Sequence, residues 1–128
     1  MIATLRTVVL PRLEELGFSG RHPHFRRVRG RRIDLLTFQF NRYGGSFVVE
    51  VASCPRVGKM SWGDSVDPEL VTAHDVNERL RLGSRPPAEE DHWFVFDSER
   101  MKAPRYSKAA EEVLSCLPQA ERYWRSRK

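Results

Sequence analysis

Four histidines, two cysteines and a tight group of arginines are the residues of this chain that could do chemistry. His22 and His24 are two apart, so on an extended segment both would point to one side. A third ligand from His74, His92, Asp75 or Asp91 would then complete a zinc set. Against this, no H-x-x-x-H or H-E-x-x-H spacing fixes two imidazoles on a helix, and Pro23 between them reads as loop. Cys54 and Cys116 lie far apart, outside any C-x-x-C pair, and read as reduced packing residues. A nucleophile built from either thiol and one of the four histidines has no local signature. Glu50 falls in a strand, whereas Glu89, Glu90 and Asp91 fall in a loop, where adjacent carboxylates are solvated. No catalytic residue, metal or cofactor is therefore expected.

The arginines are the sharper feature. Arg21, Arg26, Arg27, Arg29, Arg31 and Arg32 crowd one short stretch with Phe25 among them, and Arg42 stands beside Tyr43 at a neighbouring turn. Guanidinium groups bind phosphate and carboxylate bidentately, and each phosphate they neutralise releases counterions, giving salt-sensitive, sequence-blind affinity. On a two-stranded ribbon Arg27 and Arg29 share a face while Arg26 takes the other, so the group cannot line one groove. Three readings stay open: a solvated or internally paired edge that resists strand-to-strand aggregation, a nucleic-acid surface, and a surface for an acidic protein partner. No helix-turn-helix, RNA-recognition aromatic pair or zinc finger favours the second. Arg26, Arg27, Arg29, Arg31, Arg42 and Tyr43 are the candidate partner-binding residues.

Charge is distributed in blocks. Residues 1–60 hold 11 Lys+Arg against 4 Asp+Glu, residues 61–99 hold 3 against 10, and residues 100–128 hold 8 against 3, for a net +5. Such blocks fold back on one another, so a basic average does not guarantee a basic face. Arginine outnumbers lysine heavily, which fits anion recognition and fits coding bias equally.

These residues need a scaffold, and 128 residues with 40% hydrophobic content suit a single domain over residues 1–128. No apolar run approaches the ~18–20 residues of a membrane span. "TVVLP" falls short of the ~7–15 residues of a secretory h-region. A cytoplasmic location without membrane contact is expected.

Ile2, Leu5, Val9, Leu13 and Leu16 mark an amphipathic helix that Pro11 kinks or divides and Gly17 ends in a left-handed cap. "HFRRV" and "RIDLLTFQF" read as strands joined by "RGR". The second is apolar on both faces, Ile33 and Leu35 against Leu36, Phe38 and Phe40, and so is central. Phe47, Val49 and Val51 alternate with Val48 and Glu50 as a half-buried strand would. Between these strands lies "NRYGGS". A phosphate loop would lead into a helix and carry a lysine, whereas Gly44 and Gly45 here supply the backbone of a hairpin turn.

Further on, Asp67 and Pro68 open a short helix to about Asp75, with Val66 and Val71 as a staple. "ERLRLG" and "HWFVF" read as strands around the loop "SRPPAEED". From Pro104 a last helix buries Tyr106, Ala109, Val113, Leu117 and, past Pro118, Trp124. The expected class is α+β, an antiparallel sheet of four to five strands flanked by N- and C-terminal helices. Phe38, Phe40, Phe47, Val49, Phe94 and Phe96 should share a core beneath those helices.

Leu16-Gly17-Phe18, Phe25 to Arg27 and Gln39 through Phe47 give the chain a resemblance to domain-of-unknown-function family 4304. That family of small bacterial proteins has a helix ending in L-G-F, an aromatic-x-arginine strand and a Q-x-[SN]-x-x-G-G-x-[FY] hairpin. "RLRLGSRPPAEEDHWFVF" is a weaker echo, with a single tryptophan, Trp93, where a pair is the pattern. The resemblance implies an α+β fold and no established activity or catalytic residue. The functional expectation is a binding module with a protein partner, immunity-like or adaptor-like by analogy of size and charge. Nucleic-acid binding through the arginine hairpin is the alternative, and an enzyme of unknown class a second one.

Overall fold

The computed structural model describes residues 1–56, 67–84, 91–97 and 105–127. The first helical stripe is divided into α1 (Ile2–Val8) and α2 (Leu10–Glu15), with Pro11 in the first turn of α2, where its missing N–H costs nothing. Gly17 adopts φ +96° and closes α2. Its N–H donates to the Glu14 carbonyl and that of Phe18 to the Leu13 carbonyl, the paired bonds of a Schellman cap.

Six strands form one antiparallel sheet among the described residues. These are β1 (Ser19–Arg21), β2 (His24–Arg29), β3 (Arg32–Phe40), β4 (Ser46–Pro55), β5 (Leu80–Arg81) and β6 (Phe94–Val95). Spatial order follows chain order from β1 to β5, and β6 also pairs with β4. Helix α3 (Arg105–Arg125) runs unbroken through Pro118.

The core lies between the helices and one face of the sheet. Leu5, Val9 and Leu13 from the N-terminal helices and Val113, Leu117 and Trp124 from α3 meet Leu36, Phe38, Phe47 and Val49. Phe94 is inside this cluster, and Phe40 and Phe96 pack on its margin. The opposite face carries a smaller cluster, Ile33, Leu35, Ala52 and Cys54 under Val71, Ala73 and Val76. Full burial of Trp124 is compatible with its indole N–H because that group donates to the Ala52 carbonyl at 3.0 Å.

Four expectations are corrected. The strand β4 is buried on both faces rather than half-buried, because residues 71–76 cover the side away from the helices. The helix expected from Pro68 to Asp75 is instead a turn followed by a 3₁₀ turn at Ala73–Asp75. Thr72 and Asp75 cap the latter reciprocally, and so interrupt the run that Asp67 begins. β1 was not expected, and β5 and β6 are only two residues each. Tyr106 is 38% exposed, packing its ring against Phe96 rather than entering the core. Val66 of the expected staple, Pro104 and the loop carboxylates Glu89 and Glu90 lie outside the described residues.

Candidate interaction surface

The arginine ribbon is the β2–β3 hairpin, whose register places Arg27 opposite Asp34 and Arg29 opposite Arg32. Arg27 is only 8% exposed. Its Nε and Nη2 donate to Asp34 Oδ2 at 3.0 and 2.8 Å, and its Nη1 donates to the Leu16 carbonyl and to Glu121 Oε1 at 3.0 and 2.6 Å. The guanidinium lies 4.7 Å from the Phe18 ring centroid and 5.3 Å from that of Trp124. Arg29 clasps the same Asp34 from the other side, and its Nη2 donates to the Trp124 and Arg127 carbonyls at 2.6 and 3.0 Å. It therefore caps the C-terminus of α3, where a cation offsets the helix dipole.

This ion cluster fastens α3 and the end of α2 to the sheet. Hydrogen bonding to Asp34 raises the Arg29 pKa, despite burial. Burial works to raise the Glu121 carboxyl, but its bond to Arg27 and the charges of Arg27 and Arg125 outweigh that and hold it below its ordinary range. Neither Arg27 nor Arg29 presents its guanidinium freely to a partner. Arg26 is half-buried on the opposite face and Arg31 is exposed at the turn, and neither has an ion-pair partner among the described residues.

The second hairpin behaves differently. Between β3 and β4 the Asn41 N–H donates to the Ser46 carbonyl, the Gly44 N–H to the Asn41 carbonyl, and the Tyr43 N–H to Asn41 Oδ1. Gly44 and Gly45 take φ +84° and +82°, values at which a side chain would be strained. The loop joins strand to strand, so the paired glycines turn the chain and build no phosphate cradle. Tyr43 at its tip is 84% exposed, and the Arg42 guanidinium stands 5.1 Å from its ring centroid.

Residues 95–97 run beside this turn, since the Phe96 and Asp97 N–H groups both donate to the Gly45 carbonyl. They bring the exposed Val95 to the same end of the sheet, together with Tyr106 and an Arg105–Asp97 ion pair at 3.1 Å. Trp93, also partly exposed, precedes β6. Sequence reading named Arg42 and Tyr43 but missed Val95 and Arg105, which reach this end through the β4–β6 pairing that two-residue strands barely announce.

The other candidate groups are dispersed. His22 packs on Phe38 and Phe40, while His24 bonds Thr37 Oγ1 and touches His74 edge-on. His92 is distant in role, paired with Glu112 on α3. Among the described residues no three His, Cys, Asp or Glu side chains gather as a metal-ligand set. Cys54 is buried and its thiol pKa is raised by that burial, so it is a poor nucleophile. Glu50, 1% exposed, is engaged by Arg79 and Arg81 at 2.9 and 2.8 Å. No helix of the described residues is long and apolar enough to cross a membrane.

The L-G-F cap, the aromatic-x-arginine strand and the glycine hairpin are thus all structural devices of one fold, and the family model described as Domain of unknown function (DUF4304) matches residues 9–119. The chain belongs to that family. No curated protein and no solved structure matches it. The match to DUF4304 spans α2 through most of α3 and includes both hairpins.

Proposed function

We propose that this DUF4304 protein is a single-domain, cytoplasmic bacterial binding module that engages a protein partner through the tip of its β3–β4 hairpin. The observation that carries the reading is Tyr43, 84% exposed at the apex of a turn whose backbone is pinned by Asn41 and two glycines. A large aromatic held in water by a rigid turn gains nothing for the fold, and it costs little further ordering when a partner covers it. Tyrosine and arginine are the residue types that dominate interface energetics, and Arg42 already stacks on the ring. Val95 and Tyr106 are partly exposed at the same end of the sheet, and the Arg105–Asp97 ion pair stands beside them.

Arg26 and Arg31, which have no ion-pair partner among the described residues, would steer an acidic partner toward the molecule. Those arginines also support the alternative, a nucleic-acid partner stacking a base on Tyr43. Capture from a lysate of the native host separates the two. A protein partner is retained after nuclease treatment and resists 0.5 M salt, on the order of a tenfold rise over low-salt buffer. A polynucleotide partner is lost in both, because its affinity falls steeply with salt.

A further inference from the structure

On the face of the sheet away from the helices, strand register aligns Arg21, His24, Thr37, Glu50 and Arg81 as successive partners across β1 to β5. Each strand contributes one polar residue to a row that crosses a face otherwise centred on Ile33, Leu35, Ala52 and Cys54. A polar row of this kind costs stability unless its groups find partners. Half of it has them. Glu50 accepts from Arg79 and Arg81, and His74 Nε2 lies 3.4 Å from the same carboxylate.

The other half is open among the described residues. Arg21 is exposed, Arg26 lies two residues from His24 on the same face, and neither has an acidic partner among the described residues. Between them and Glu50 stand two imidazoles in contact, His24 and His74, with ring centroids 5.5 Å apart. His24 Nδ1 is 2.8 Å from Thr37 Oγ1, leaving its Nε2 for another partner.

We infer that Arg21, Arg26, His24 and His74 form a binding site for a phosphoryl group, carried by free phosphate or by a phosphate ester. Two guanidinium groups from adjacent strands can serve two edges of a tetrahedral anion. The imidazoles complete the site when protonated, since each then donates from both nitrogens. Burial, with the charge of His74, holds the His24 pKa below its ordinary value, while Asp75 opposes that. An anion seated here would oppose that lowering, so its binding favours the protonated His24 ring.

Strand register puts Arg21 from β1 opposite His24 and Arg26 two residues along β2, the charges acting on His24 are His74 and Asp75, and beyond them Glu50 from β4 meets Arg79 and Arg81, with Asp91 on Arg81. Guanidinium groups outnumber carboxylates in this set, and the surplus lies at the open half. The site is separate from the hairpin tip, so its failure leaves the protein-binding reading untouched.

The test is an NMR titration of the full chain with inorganic phosphate at pH 6.0 and 7.5, following the His24 and His74 ring resonances at constant ionic strength. The expected result is a saturable shift of both rings, weakened about tenfold or more in R21Q/R26Q at either pH. Arg21→Gln alone, on an exposed edge strand, serves if the double variant is unfolded. A mononucleotide arm identifies the source: tighter binding than phosphate assigns an ester, and equal binding assigns the free anion. Absence of a saturable shift, an equal response to acetate, or an unchanged response in the folded variants overturns the proposal.

Discussion

The two hairpins of this sheet share β3, both carry arginine, and spend it in opposite ways. In the β2–β3 hairpin, Asp34 sits directly across from Arg27 and draws Arg27 and Arg29 together into a buried cluster beneath α3. In the β3–β4 hairpin, Arg42 pairs with no acid among the described residues and lies on the exposed Tyr43. The difference teaches that a run of arginines is assigned by register. The carboxylate opposite, rather than the number of guanidinium groups, decides whether an arginine serves the fold or the surface.

The largest test of that contrast is at Asp34. Its removal leaves the buried Arg27 facing Glu121 alone and Arg29 without its carboxylate. Asp34→Ala should therefore cost about 3–5 kcal/mol of unfolding free energy. Chemical denaturation checks this, and a loss under about 1 kcal/mol would break the claim that the ribbon arginines are structural. Next comes the turn: Gly45→Val imposes φ +82° on a β-branched residue whose Cβ would stand 3.2 Å from the Asp97 carbonyl oxygen. A cost of about 1–3 kcal/mol is expected in the same measurement.

The histidines beside β2 and the ion cluster under α3 should also fail at different pH. His22 and His24 are held below their ordinary value of 6.5 by burial first, then by Arg6 and His74 respectively. Above 6.5 both are neutral folded or unfolded, and their environment costs nothing. As pH falls below 6.5 the unfolded chain takes up protons first, so stability is lost until the folded values are passed. Glu121 is depressed below 4.5, so its contribution is complete above that value and is lost as pH falls through its folded pKa. Denaturant midpoints between pH 7.5 and 3.5 should show two steps. His24→Gln should shrink the upper step and Glu121→Gln the lower one, and the reverse assignment would contradict the account.

Long periodic segments were readable from sequence alone. The long apolar run of β3 and the α3 stripe each carry a local rule over enough residues to stand out, and the L-G-F end of the first helix marks its own cap. What stayed hidden depends on pairing. β5 and β6 are too short to carry a pattern, and the Arg27–Asp34 contact follows only once the turn fixes the register. Thr72 redirects its segment because a capping box there competes with continuing the helix. At the surface, Arg42 and Tyr43 were recognisable by type, whereas Val95 and Arg105 join them through tertiary contacts remote in sequence.

Whether the hairpin tip or the arginine ribbon meets the partner is decided by comparing R42Q/Y43A with R26Q/R31Q in nuclease-treated capture from a lysate of the native host. Tyr43 is so exposed that the tip variant should keep its stability within about 0.5 kcal/mol. The protein captured by the unmodified chain should be lost with the tip variant, by tenfold or more if the pair supplies the ~2 kcal/mol of a hot spot. The ribbon variant should retain it with slower association. Undiminished capture by a folded tip variant, with loss in the ribbon variant, would contradict binding through the tip.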